Sequence, residues 1–366
     1  MLQSLLLTAW LLVALAACRV APPLSNAVTR YPAIEGLRGL LALMVVWSHA
    51  VRMPTLMPRE GVPYWSPFFA DHQAFHTLGS LAVSLFFCIT GFLFWERKTP
   101  SDLGSFLQGR IRRLAPAYLA LAGAMMLLTA GLSSIGGAPA NWFYFGKQLL
   151  SFLTFGLTDL TIHPTAVVTM GMAWSLAYEW AFYLSLPLLW VLRSYSRVLP
   201  HVVFVLGCQY ALPTGPRNIA LFLWAGMLAA ESTPFLIQKL SVPVRVGLSW
   251  LGLPLIGALS VWGGFGFKLS FIPAVLALFL TVVLAVPGRG PLAGFAPLSR
   301  LGEMAYSLYL THGFVLLVLF LPLLPIQDSL SPRLFECWVA IATIAALGMA
   351  RLWYHFFERT FIHAKH

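Results

Sequence analysis

Arg38 and His49 stand eleven residues apart in YPAIEGLRGLLALMVVWSHA, residues 31–50, a stretch that is otherwise almost wholly apolar. At 3.6 residues per turn, eleven steps come to about 1100°, within roughly 20° of three full turns, so both side chains share one helix face about 16 Å apart. Ionisable groups on a membrane helix are costly unless a partner or a water-filled cavity relieves them, which makes function the default reading. The bland alternative is that Arg38 snorkels to lipid headgroups and His49 bonds a neighbouring helix. Glu179 poses the same question in AWSLAYEWAFYLSLPLLW, residues 173–190, where Ser175, Glu179 and Tyr183 fall four apart on one stripe. If this segment enters from the opposite side, Glu179 lies about 9 Å below the boundary at 1.5 Å per residue. His49 reaches a similar depth. A carboxylate beside an imidazole fixes its tautomer and raises its basicity, so a His49–Glu179 pair would suit general-base chemistry. A structural role for Glu179 with another donor is the alternative.

Two further groups belong with these. GRIRRLAPAYLA places Arg110, Arg112 and Arg113 just ahead of an apolar run. The planar guanidinium fork donates in pairs and suits phosphate, although positive-inside topology accounts for many such clusters. In AYSLYLTHGF, residues 305–314, Tyr309 precedes His312 by one turn, and the two could line a half-channel from the cytoplasmic side. Cys18, Cys88, Cys208 and Cys337 are far apart and suggest neither a disulfide framework nor a zinc spacing, and no His-Glu-x-x-His or similar metal set appears.

The elements that must carry these residues are membrane helices. Of 366 residues, 59% are hydrophobic and 10% charged, with mean hydropathy +0.81, against roughly 25% charged in soluble domains. Apolar runs of about 17 to 22 residues suit helices crossing a hydrocarbon core about 30 Å thick, not the alternation of a barrel. The expected fold is an all-α polytopic bundle with spans near 37–55, 78–95, 114–132, 173–192, 199–214, 218–231, 246–263, 269–287, 305–324 and 336–356. A shorter aromatic stretch at 142–157, interrupted by Lys147, reads as an interfacial or re-entrant segment. The net charge of +11 sits mostly in loops, where it sets orientation, and gives no support to nucleic-acid binding. The loop from 96 to 114 and RSYSR at 193–197 are basic and should be cytoplasmic, with both ends of the core on that side; Arg52, Arg59, Lys147, Arg217, Lys268 and Arg333 fall outside. Residues 1–30 read as a non-spanning or weakly membrane-associated extension, or an early start, with a signal peptide the lesser reading, and 363–366 as a short tail. The membrane domain between them spans 31–362.

In their order along the chain, these segments resemble the membrane acyltransferase 3 family. Glu35-Gly36-Leu37-Arg38-Gly39 with His49 resembles that family's opening EGLRG-type stretch and Arg-x10-His spacing. FFCITGFLF at 86–94 is similar to its FFVLSGFLI-type span. Arg110, Arg113 and Pro116 resemble an Arg-x-x-Arg pair followed by proline. WSLAYEWAFY and AYSLYLTH resemble its WSLSVEEQFY-like and SYSLYLLH-like segments. Trp180 stands where a second acid is common, and FFERTF lacks the frequent proline after Glu-Arg.

The resemblance implies an enzyme of the bacterial inner membrane that moves an acyl group, usually acetyl, from cytoplasmic acyl-CoA to a hydroxyl of a surface or lipid-linked carbohydrate or related acceptor. It implies His49 as the central catalytic residue, Arg38 as its companion, and Arg110 and Arg113 as donor-binding groups. The reading of the residues themselves adds Arg112 for the phosphates, Glu179 to orient His49, and Ser175, Tyr309 and His312 as further contacts. Acyl-CoA is then the cosubstrate, no metal is required, and a separate periplasmic enzyme is a possible partner. The rival reading of the same buried His, Glu and Arg residues is a proton-coupled secondary transporter or exporter.

Overall fold

The computed structural model describes residues 31–56, 72–96, 103–135, 142–155, 173–212, 214–261, 267–323 and 331–362. The extension 1–30, the tail 363–366 and the loop residues Arg59, Arg97 and Lys98 lie outside these.

The described chain is helical. Its helices are α1 Pro32–Leu56, α2 His72–Glu96, α3 Leu103–Ile135, α4 Trp142–Leu153, α5 Ala173–Tyr195, α6 Leu199–Ala211, α7 Thr214–Lys239, α8 Val242–Val261, α9 Ile272–Val283, α10 Pro291–Gly294, α11 Ala296–Glu303, α12 Ala305–Phe320 and α13 Pro332–Trp353. Among the described residues, α1, α2, α3, α5, α7, α8, α12 and α13 are long and apolar enough to cross a membrane, and α6 and the Leu269–Val283 stretch ending in α9 are shorter apolar helices. These ten coincide with the spans expected from hydropathy, and the chain is a multi-pass helical membrane protein. The short α6 stops ahead of Pro213: the residue before a proline is driven out of the α region, and Leu212 is extended. At 12 residues, α4 is about 18 Å long and too short to cross a core of about 30 Å. It packs on α3, with Phe155 against the Tyr118 ring, and leaves Trp142 and Phe143 exposed.

Helices α1 and α2 are the most enclosed, while α3, α5, α8 and α13 turn much of their surface outward. Association within a bilayer depends on close backbone approach rather than on hydrophobic driving force, and glycines supply it here. A Cβ on Gly91 would fall on the Leu223 carbonyl and one on Gly226 on the Cys88 carbonyl, which clamps α2 against α7. Gly39 meets Leu298, and Gly302 meets Glu35, clamping α1 to α11. The glycines of the EGLRG and FFCITGFLF stretches are therefore packing residues, and they fix the heights of Arg38 and Thr90.

Pro116 lies inside α3, where it removes one backbone bond and weakens the local ladder. Neighbours hold that turn. Tyr306 of α12 donates to the Leu114 carbonyl at 3.0 Å, and Trp353 at the end of α13 donates to the Ala117 carbonyl at 3.0 Å. Beyond Trp353 the chain runs through a π-helical turn, Tyr354–Arg359, that lies against α3.

Candidate active site

Helices α1, α2, α3, α5 and α12 line an open cavity of about 950 Å³, counting the space at its mouth that is continuous with the surroundings. Its lining brings together Arg38, Arg110, Arg113, Ser175, Glu179 and Tyr309, six residues singled out by type and spacing and drawn from four helices. The i, i+4, i+8 stripe of α5 explains part of this, since Ser175, Glu179 and Tyr183 all face the same space.

The arginines are arranged by packing as well as by charge. Arg38 is held by Glu35 one turn earlier on α1, with Nη1 to Oε2 at 3.0 Å. The Arg110 guanidinium lies over the Phe94 ring, 5.0 Å from its centroid. Arg112 points away from the lining and is exposed. The helix period accounts for the difference: Arg110 and Arg113 are three apart and neighbour each other on one face, whereas Arg112 is about 100° off Arg113.

Two carboxylates face these cations, Glu179 partly buried and Glu358 fully so. Glu179 accepts from Thr90 Oγ1 at 3.4 Å and from Tyr183 OH at 3.3 Å. Glu358, in the π-helical turn, is fully buried and accepts from Ser307 Oγ at 2.7 Å. Arg113, then Arg38, are the charges acting on both. Spacing arguments pass over Glu358 because nothing near it repeats. Its one sequence signal is the FFERTF string, a charged pair closing an apolar helix.

Ser175 and Tyr309 meet at the inner end of the cavity, their hydroxyls 2.6 Å apart. His312 sits one turn further along α12, with its ring centroid 5.9 Å from that of Tyr309. There the structure joins the two histidines: His49 Nδ1 lies 2.8 Å from His312 Nε2. Neither histidine belongs to the cavity lining. The expected His49–Glu179 pair is thus not the one formed. Counting depth along α5 places Glu179 level with His49. In the structure Ser175, one turn nearer the start of α5, is the residue level with Tyr309, and Tyr309 is itself a turn short of the histidines. Glu179 faces the arginines instead.

The arrangement is a cavity lined by three fixed cations, a hydroxyl pair at its far end, and a coupled imidazole pair one helical turn, about 5 Å, beyond. Such a site can hold an extended anion by its phosphates and bring its other end towards a base.

Comparison with known proteins gives the family. The family model described as an acyltransferase domain, Acyl_transf_3, matches residues 31–349. The chain is 27% identical over 334 residues to acyltransferase MdmB of Streptomyces mycarofaciens, covering 79% of this chain and 80% of that protein. It is 26% identical to the exopolysaccharide production protein ExoZ of Rhizobium meliloti, covering 66% and 78%. Against O-acetyltransferase OatA of Staphylococcus aureus it is 25% identical over 64% of this chain, which corresponds to 45% of OatA. No solved structure matches.

Proposed function

Since the chain belongs to the acyltransferase 3 family of membrane acyltransferases, we propose that it moves a short acyl group, acetyl foremost, from acyl-CoA to a hydroxyl of a surface or lipid-linked carbohydrate. The observation that carries this reading is the cavity that runs from Arg38, Arg110 and Arg113 to the Ser175–Tyr309 pair, with His49 a turn beyond. CoA is a long anion with phosphates at one end and the thioester at the other. Arg110 and Arg113 take the phosphates, since charge-assisted bonds from a guanidinium fork are the strongest available to them. Arg38 lines the passage, and the pantetheine arm carries the thioester inward. The basic segments at 96–114 and 193–197 support a cytoplasmic arginine end in a bacterial inner membrane, where acyl-CoA is found.

At the inner end His49 removes the acceptor's hydroxyl proton as the oxygen bonds to the thioester carbonyl carbon. The carbon–sulfur bond then breaks, and the proton passes from His49 to the sulfur, giving the ester and free CoA thiol. A covalent route, in which His49 takes the acyl group first, uses the same nitrogen lone pair. ExoZ, an exopolysaccharide production protein, and OatA, an O-acetyltransferase, support the choice of acyl group and acceptor class.

The test uses membrane fragments of the cells in which the chain is native, supplied with acetyl-CoA labelled in the acetyl group. The expected result is release of CoA thiol with label entering the membrane carbohydrate or lipid fraction, both lost in His49→Ala. Thiol release and labelling unchanged in His49→Ala would overturn the reading. Label retained on the protein at His49 would select the covalent route.

A further inference from the structure

We infer that His312 is the residue that orients His49, fixing it as the tautomer whose Nδ1 carries the proton and whose Nε2 carries the lone pair. The inference rests on the acyl-transfer reading above and assigns the role that spacing alone would give to Glu179.

The hydrogen bonds decide the tautomers in sequence. His312 Nδ1 lies 3.2 Å from the Leu308 carbonyl oxygen. A carbonyl only accepts, so His312 Nδ1 carries a proton. His312 is fully buried in an apolar layer between α1 and α12, where a resting charge would be costly, so its neutral form has its lone pair on Nε2. That nitrogen is 2.8 Å from His49 Nδ1. Two lone pairs cannot face each other at this distance, so His49 Nδ1 donates. Neutral His49 then has its lone pair on Nε2, the nitrogen that takes a proton or an acyl group on this reading.

The ring geometry agrees. The imidazole planes are 21° apart with centroids at 5.0 Å. Given the 2.8 Å nitrogen separation, the rings lie edge to edge and nearly coplanar, as a linear N–H···N bond requires, rather than face to face. The backbone supplies the rigidity. Leu308, whose carbonyl starts the chain of bonds, is fully buried on α12, and α12 packs directly against α1. When His49 becomes an imidazolium during transfer, its Nδ1–H remains on His312 Nε2, which is still an acceptor.

Glu179 is engaged otherwise, by Thr90, Tyr183 and the charges of Arg113 and Arg38. It serves the anion-binding end.

The experiment compares His312→Leu, which removes the acceptor at similar volume, with His312→Gln, whose side-chain oxygen can accept from His49. Acetyl-CoA turnover in the same membrane fragments gives kcat and KM, and calorimetric binding of acetyl-CoA to the purified full chain reports folding. Well-placed general acid–base groups contribute about 10²- to 10⁴-fold, so loss of orientation in His312→Leu is expected to lower kcat about 10- to 100-fold with KM unchanged. His312→Gln is expected to recover to within about 5-fold of wild type, because an amide oxygen can also accept the Nδ1 proton. If His312→Leu does not bind acetyl-CoA, His312→Asn replaces it as the side chain too short to reach His49, and Gln must still exceed Asn. Wild-type kcat in His312→Leu, or equal losses in the Leu (or Asn) and Gln variants, would overturn the assignment. A silent His49→Ala would instead remove the acyl-transfer reading on which it rests.

Discussion

Replacing Arg113 with alanine separates binding from folding in a way that the geometry makes quantitative. Arg113 lines the cavity and is the first of the charges acting on both Glu179 and Glu358. Its removal has two consequences. The donor loses a charge-assisted bond of about 1.5 to 3 kcal/mol, which corresponds to about a 10- to 150-fold rise in KM for acyl-CoA. Glu358, fully buried, loses the leading charge that acts on it, at a cost below the about 3 to 5 kcal/mol of breaking a buried pair in direct contact. The cost falls short of that range because Arg113 is itself only partly buried and Arg38 remains. Arg110→Ala is the control: Arg110 rests on the Phe94 ring, so its loss should raise KM comparably while costing about 1 kcal/mol of stability or less. Adding Glu358→Gln to Arg113→Ala removes the orphaned charge and keeps an acceptor for Ser307, so the double variant should regain stability but not affinity. Acetyl-CoA titrations give KM, and a thiol-reactive dye, with the exposed Cys337 replaced by serine so that the signal comes from exposure of the buried Cys88 and Cys208, gives the melting midpoint. Equal midpoints for the Arg110 and Arg113 variants, or a double variant less stable than Arg113→Ala, would refute the idea that these carboxylates hold Arg113 in place.

Other outcomes follow from the same structure. Tyr309→Phe and Ser175→Ala each break the 2.6 Å bond at the inner end of the cavity. Each should lower kcat by about 10-fold, and the double variant should be no worse than either single one because the two share one interaction; additive losses in a turnover assay would argue against a joint role. Gly91→Ala drives a Cβ into the Leu223 carbonyl and should cost about 1 to 3 kcal/mol, as overpacking does, measured as a lower melting midpoint. Gly123→Ala, with open space around its Cβ on α3, should be neutral or stabilising by up to about 1 kcal/mol. Raising ionic strength should weaken acyl-CoA binding, with a shallower dependence in Arg110→Ala, because phosphate contacts at an open mouth are screened.

Hydropathy revealed the ten helices, and the 3.6-residue period the shared face of α5. These are local properties, set within one or two turns of chain. The length of α6 was less legible, since its end is imposed by the turn before Pro213 rather than by loss of apolar character. The partners of the histidines were not legible at all. His49 and His312 are 263 positions apart, and their heights depend on how α12 sits along α1, which the Gly39 and Gly302 contacts between α1 and α11, the helix leading into α12, help to set. A one-turn error in depth was enough to nominate Glu179. Glu358 was hidden because its value lies in the π-helical turn that directs it to Ser307, and no period in the sequence announces that turn.

The separation between the two ends of the site has an electrostatic reason. At the arginine end, Arg38 is already paired with Glu35, and Glu179 and Glu358 face the same cations before any donor arrives, so binding an anion requires little rearrangement. At the histidine end, where His312 is fully buried, an ion pair at rest would carry a desolvation penalty that its mutual attraction seldom recovers. A neutral imidazole acceptor orients His49 without that cost, and positive charge develops only while a proton is in transit. A carboxylate would orient His49 equally well, but it would place a fixed negative charge one turn from the hydroxyls that face the thioester and would repel the oxyanion forming there. On this account His312→Glu, although it preserves an acceptor for Nδ1, should fall below His312→Gln in kcat despite equal acetyl-CoA binding. A Glu variant that outperforms Gln would mean that stabilising the imidazolium matters more than keeping the inner end neutral.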